Sequence, residues 1–184
     1  NNEHVIWVGT GENNNQRSVA YGDGVYKSLD GGKSWKNMGL KNSEHIGMIE
    51  IDPNNSNNIY VAAYGPLWKE GGERGLYFSK NGGKEWELIL KTDEHTGVNE
   101  VHLDPRNSST IYATTHQRRR HVYTYVGGGL GSKIYKSTDS GKSWKELKSG
   151  LPNSIKGRIG MDISPANPDY LYALVEAENN KQGL

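Results

Sequence analysis

The chain has 184 residues, 22 basic and 21 acidic side chains, a net charge of +1 and no cysteine. The charge balance gives no global attraction to nucleic acid or an anionic surface, and no nucleic-acid partner is expected. Missing thiols exclude disulfide frameworks, thiolate zinc sites and cysteine nucleophiles, and no apolar run approaches the roughly 20 residues of a membrane span, so direct membrane insertion is not expected.

In chain order, Val5-Ile6-Trp7-Val8 reads as a first strand, followed by a long polar loop over 9–23 that holds Glu12 and Arg17. Val25-Tyr26 begins a second strand, which runs into Ser28-Leu29-Asp30-Gly31-Gly32-Lys33-Ser34-Trp35. One full unit then follows, with predicted strands A at 46–51, B at 58–63, C at 75–79 and D at 85–90. Its apolar runs are short, rich in β-branched and aromatic residues, and bounded by Gly, Asn, Asp and Pro. No segment sustains the apolar stripe of a helix.

The unit repeats. Ser79-Lys80-Asn81-Gly82-Gly83-Lys84-Glu85-Trp86 and Ser137-Thr138-Asp139-Ser140-Gly141-Lys142-Ser143-Trp144 copy the first octet, with spacings of 51 and 58 residues between tryptophans. Between them, Ile51-Asp52-Pro53, Leu103-Asp104-Pro105 and Ile163-Ser164-Pro165 each lead into an apolar-Tyr pair at Tyr60, Tyr112 and Tyr172. Two motifs keeping one period of about 50 residues, with four short strands each, predict an all-β propeller. In the octet, Ser28, Asp30, Gly32 and Trp35 have structural roles: the carboxylate accepts N–H groups of the turn, glycine supplies positive φ, and the ring packs between strands. The same holds for Ser79, Asn81, Gly83 and Trp86, and for Ser137, Asp139, Gly141 and Trp144. Asn81 supports that view, because an amide makes the turn bond but is no acid or base. Asp52 and Asp104 are read as turn formers in the same way.

These octets resemble the Asp box, or bacterial neuraminidase repeat, with Ser34 and Ser143 in place of its Thr and departures at Asn81 and Glu85. The wider text, including 22–28, 65–68 and 117–122, is similar to the N-terminal propellers of sortilin-like and glycosyl-hydrolase-like repeat proteins of bacteria. The resemblance implies a β-propeller in an extracytoplasmic setting: secreted, periplasmic or at the cell surface. It implies no reaction, because sialidases, xyloglucanases, sorting receptors and assembly factors share the repeat.

Within one propeller domain over 1–184, residues 5–39 are assigned to a partial blade, 45–91 and 97–148 to whole blades, and 157–184 to a second partial blade. Gly183-Leu184 matches Gly24-Val25 and Gly75-Leu76, at the start of a further octet strand. A partial arc leaves bare strand edges, so the remainder of a longer chain is expected as a partner.

Function is expected on the B–C loops, the long and variable ones. The third, 115–132, is the richest: Arg118, Arg119, Arg120, His121, Tyr123 and Tyr125 suit carboxylate, phosphate or sulfate groups and the faces of sugar rings. Trp68 in the second loop joins them as a ligand-binding candidate. The alternative is that 118–121 is a solvated extension of strand B and that Tyr123 and Tyr125 form a β excursion. A sialidase reading needs arginines from several blades on one carboxylate; three neighbours in one strand point to alternate faces. Arg17, Arg74 and Arg158 remain unassigned for that role. A glycosidase needs two carboxylates across a cleft. Glu12, Glu70 and Glu94 are the weak catalytic candidates, and Glu44, Glu73 and Asp93 share that face. Glu44-His45 and Glu94-His95 lack a third ligand at defined spacing, so neither a metal nor a cofactor is expected. The leading expectation is a module that binds protein or glycan through the B–C loop face. A glycoside hydrolase acting on a polysaccharide and a non-binding scaffold are the alternatives.

Overall fold

A computed structural model of the protein describes residues 2–178; Gly183 and Leu184 lie outside the described residues. The architecture is a partial β-propeller of antiparallel sheets. The first sheet holds β1 (Ile6–Gly9), β2 (Val25–Ser28) and β3 (Lys36–Asn37), in that order. The second holds β4 (Ile46–Ile51), β5 (Ile59–Ala63), β6 (Gly75–Ser79) and β7 (Glu87–Leu90). The third is built from β8 (Thr96–Asp104), β9 (Asn107–Gln117), β12 (Ile134–Ser137) and β13 (Lys145–Leu147), with a small hairpin of β10 (Arg119–Arg120) and β11 (Tyr125–Val126) inserted after β9. The fourth pairs β14 (Lys156–Ile163) with β15 (Leu171–Ala177). A single 3₁₀ turn, Lys41–Ser43, links the first two sheets.

Alternation along each strand makes both faces of a sheet apolar, and this sets the packing. Ile59, Val61 and Ala63 of β5 pack toward the first sheet with Val25, Leu40 and Ile46, against Trp7 and Trp86. The intervening Tyr60 and Ala62 pack the opposite way with Val98, Val101, Ile111 and Ala113 of the third sheet. Ile134, Ile159, Met161 and Val175 close the third interface, against Tyr112, Leu171 and Ala173. Inner strands approach closely there: a Cβ on Gly47 of β4 would lie 2.4 Å from the Asn99 carbonyl oxygen of β8.

The three octets fold alike. Ser28 Oγ accepts the Gly32 N–H and donates to Asp30, while Asp30 accepts the Ser34 N–H at 2.9 Å and the Ser34 hydroxyl at 2.6 Å. Ser137, Asp139, Gly141 and Ser143 repeat these contacts, and Ser79, Asn81, Gly83 and Glu85 reproduce the backbone ones. Donation from Ser34 and Ser143 holds both aspartates at a pKa of about 2. The expected turn bonding is thus divided: serine takes the glycine N–H, and aspartate takes the N–H four residues on. Strand D starts at Glu87 instead of 85, because Glu85 still belongs to the turn through Asn81.

The tryptophans bridge sheets. Trp86 donates its indole N–H to Met38 O at 2.7 Å, and Trp144 donates to Ile89 O at 2.8 Å. Each acceptor lies three places after the previous tryptophan. Trp35 has no preceding sheet among the described residues, bonds its own Gly32 O at 3.0 Å and stays 42% exposed. At the other end, Tyr172 occupies the slot of Trp7, Tyr60 and Tyr112 and is 58% exposed.

Removing an inter-sheet indole opens a cavity and frees a carbonyl, so Trp144→Ala is expected to lower stability by about 3–5 kcal/mol. Trp35→Ala is expected to cost under about 1 kcal/mol, as a half-exposed side chain. Urea denaturation of the two variants measures the contrast. Ser140 has φ 61° where the other octets place Gly31 and Gly82 in the same left-handed region. Ser140→Gly relieves that conformation and is expected to raise stability by about 0.5–1 kcal/mol in the same assay.

Candidate functional site

The B–C loops of three sheets meet at one rim, together with the D–A connections. Lys69 pairs with Glu44 at 2.6 Å, Asn42 N–H donates to the Glu73 carboxylate at 2.7 Å, and Gly71 N–H donates to Glu94 O at 2.9 Å. Strand β9 runs on to Gln117 by pairing with Thr96–Val98, so 115–117 is strand where a loop is expected. The chain then turns into the β10–β11 hairpin, the excursion that carries Tyr123 at its tip and Tyr125 on its return strand.

Arg118 is not a solvated extension: it is fully buried. Its guanidinium stacks 3.6 Å from the Tyr64 ring and donates to Asn14 O and Asn15 Oδ1 at 3.2 Å, and to Gly65 O. Arg120 donates to Asn15 O, lies 4.6 Å from the Tyr125 ring centroid, and its backbone N–H reaches Leu67 O. These two arginines therefore tie the third loop to the first, across the top of the second sheet. The reason is desolvation: closing the rim covers 118, and three carbonyl or amide acceptors are supplied there to hold it.

Arg74 fills a cage of carbonyls from Tyr64, Pro66, Lys69 and Gly71. Burial first, and the neighbouring Arg118 and Arg119 next, pull its pKa down to about 10. Arg119 is half-buried and makes no side-chain hydrogen bond among the described residues. Its Nε and Nη1 are unpaired, as are the Nε atoms of Arg118 and Arg120. None of Arg74, Arg118, Arg119 and Arg120 has a carboxylate at ion-pair distance among the described residues. Above them, Tyr123 is 85% exposed and stacks on His121, Tyr125 is partly exposed, and Trp68 is half-buried in its own loop.

Beneath the rim lie two buried histidines. His116 Nε2 meets Gly127 O at 3.1 Å, so Nε2 carries the proton and Nδ1 accepts from the buried Tyr64 hydroxyl. Among the described residues neither ring nitrogen of His45 has a hydrogen-bond partner; its ring centroid lies 5.8 Å from that of Tyr21, tilted by 47°. Burial, with Arg118 adding to it, lowers His45 to about 4, and burial lowers His116 to about 4. Tyr64 and His116 hold one slot of the repeat, Tyr64 just past β5 and His116 near the end of β9. Carrying the alignment of the repeats on past the apolar-Tyr pairs, to the fourth residue after Tyr60 and Tyr112, would have paired them from the sequence. Burial of Arg118, by contrast, depends on Asn14 and Asn15 more than 100 residues away, and no local signal encodes it.

The catalytic candidates separate. Glu12 accepts the Ala20 N–H at 2.7 Å and braces its own loop. Glu70 and Glu94 are brought together with His95, one ligand atom of each lying within 4.8 Å of the others, and the three residues are exposed or half-exposed. Among the described residues this trio is the donor set close enough to share an ion.

Comparison with known proteins fits this architecture. The family model Sortilin-Vps10, described as sortilin, neurotensin receptor 3, matches residues 74–183. The chain belongs to that family. Among solved structures, the chain superposes on a GH74 enzyme from Niastella koreensis with a TM-score of 0.67 at 20% identity, covering 96% of this chain and 24% of that one. The GH74 xyloglucanase from Xanthomonas campestris gives 0.62 at 16% identity, with coverages of 95% and 25%. YCF48 bound to D1 peptide gives 0.51 at 13% identity, with coverages of 97% and 55%. The chain thus spans about a quarter of those GH74 chains, and at these identities the likeness is one of fold. No curated protein matches the sequence. No helix among the described residues is long and apolar enough to cross a membrane.

Both histidines are neutral in the folded state, with pKa values near 4 against about 6.5 when unfolded. The unfolded chain binds more protons between those values, so stability falls as pH drops from about 6.5 to about 4 and is fully present above that window. His45→Phe is expected to flatten part of this slope. Urea midpoints at pH 7, 5.5 and 4.5 read it, and an unchanged slope counts against the burial of a neutral His45.

Proposed function

We propose that this chain forms part of an extracytoplasmic β-propeller binding module whose B–C loop rim receives an anionic group of a protein or glycan partner. The observation that carries the reading is the uncompensated charge at Arg74, Arg118, Arg119 and Arg120. Burying guanidinium groups without a facing anion costs several kcal/mol per ion, and carbonyl dipoles offset this only in part. A carboxylate, phosphate or sulfate would pair the unsatisfied donors of Arg119, on the hairpin whose tip carries the exposed ring of Tyr123. Aromatic and arginine side chains together at a rim are what a binding hot spot uses. The peptide-bound YCF48 structure supports a peptide as one class of occupant for a propeller of this shape.

The GH74 neighbours favour a glycoside hydrolase as the second reading. Its weak point is exposure: Glu70 and Glu94, whose nearest carboxylate oxygens lie within 4.8 Å of each other, are both exposed and do not flank a water-excluding cleft.

The test is binding of the intact protein to a panel of acidic peptides and of sulfated and carboxylated glycans, by biolayer interferometry. Arg119→Ala and Tyr123→Ala are each expected to weaken an identified ligand at least tenfold with melting unchanged, and binding is expected to fall with added salt. Arg118→Ala is expected to destabilise the rim instead. A ligand that binds both surface variants normally would remove the rim from the site. Reducing sugar released from a polysaccharide and lost in Glu70→Gln or Glu94→Gln would replace this reading with the hydrolase.

A further inference from the structure

The three octets differ chemically at their third position. Asp30 is followed by Gly31 and Asp139 by Ser140, whereas Asn81 is followed by Gly82, the one Asn-Gly step in the sequence. That step has a reaction of its own: with no Cβ to shield it, a glycine nitrogen can attack the side-chain amide carbon of the residue before it.

The folded octet holds both reacting groups. Asn81 Oδ1 accepts the Ser79 hydroxyl at 2.9 Å, the Lys84 N–H at 3.1 Å and the Glu85 N–H at 3.0 Å, and Nδ2 donates to the Glu85 carboxylate at 3.0 Å. The nucleophile is engaged as well, because the buried Gly82 donates its N–H to Asn57 O at 3.0 Å. Asn57 lies in the turn between β4 and β5, so this contact ties the tip of the β6–β7 hairpin to the other turn of its own sheet. Gly31 and Ser140 make the same bond to His4 O and Ser109 O, both at 2.9 Å. Attack requires the nitrogen to leave Asn57 and the amide to rotate against four hydrogen bonds, so it waits on an opening of the hairpin. Strand β7 is the edge strand of its sheet, where such openings are least costly.

We propose that Asn81-Gly82 is a site of spontaneous deamidation gated by this hairpin, which is inert when closed and, once modified while open, does not close again. The Gly82 nitrogen loses its proton to water and attacks Asn81 Cγ. The N–Cγ bond forms, the Cγ–Nδ2 bond breaks, and ammonia leaves with a proton from water. One water then opens the five-membered imide, at Cγ to give aspartate or at the main-chain carbonyl to give isoaspartate. Water is the co-reactant throughout.

Neither product fits the turn. Isoaspartate adds a main-chain carbon before Gly82, and the spacing that lets one side chain accept from residues 84 and 85 is lost. Aspartate sets a carboxylate oxygen where Nδ2 now donates, 3.0 Å from the Glu85 carboxylate, and like charges at that distance repel. The first and third octets avoid this conflict because Ser34 and Ser143 stand there and donate to their aspartates. The departures from the repeat at Asn81 and Glu85 are thus a matched pair.

The test is incubation of the intact protein at pH 8, in buffer and in concentrated urea, with the products at residue 81 followed by peptide mapping and by enzymatic methylation of isoaspartate. Deamidation at Asn81 is expected at least tenfold faster in urea than in buffer. Ser79→Ala, which removes one contact to the amide, is expected to move the rate in buffer toward that in urea; if this variant does not fold, the two rates of the unaltered protein decide. Protein that carries isoaspartate at 81 is expected to melt at a lower temperature than fresh protein. Equal rates in the two solvents would overturn the gate, no reaction at 81 in urea would overturn the site, and unchanged melting of the modified protein would overturn the one-way closure.

Discussion

Each sheet in this protein has two apolar faces, and neither face is stable in water. Everything else follows from that constraint. A strand that sends Ile59, Val61 and Ala63 one way and Tyr60 and Ala62 the other must be covered on both sides, so the sheets stack side by side around an axis. The repeated hairpin then fixes the spacing, because its indole N–H reaches a carbonyl on the neighbour only when the two sheets sit in one register. The exposed Trp35 and Tyr172 show the same chemistry without a neighbour among the described residues.

Stacking of this kind separates charge by level. Loops at one end collect Arg74, Arg118, Arg119 and Arg120, while β4, β8 and β14 bring Glu50, Glu100 and Asp162 to the wall of one groove. A net charge of +1 conceals both. Local fields, set by topology and not by composition, are what a ligand meets.

The repeat was legible because it is written in short range. Ser28 to Trp35 makes its turn from bonds that span four residues, so three copies of the text give three copies of the geometry. The four strands of the complete unit were legible for the same reason, with strand D shortened where Glu85 stays in the turn. The rim was legible only as a list of residue types. Arg118 reads as a surface arginine until Asn14 and Asn15 arrive from another sheet and cover it. Glu50, His102 and Asp162 stand opposite Tyr60, Tyr112 and Tyr172, and the level they share was hidden differently. Each precedes its Asp-Pro or Ser-Pro by two residues, a pattern present in the text, but an acid, a base and an acid do not look like a repeat until strand pairing aligns them.

Because Arg118 and Arg120 cross from the third loop to the first, the rim is not a set of independent inserts on a rigid frame. Transplanting the 115–132 segment alone into another propeller would carry its charges into a place with no Asn14 or Asn15 to receive them. Specificity in this architecture is therefore inherited in blocks, and divergence of one loop is constrained by its distant counterpart.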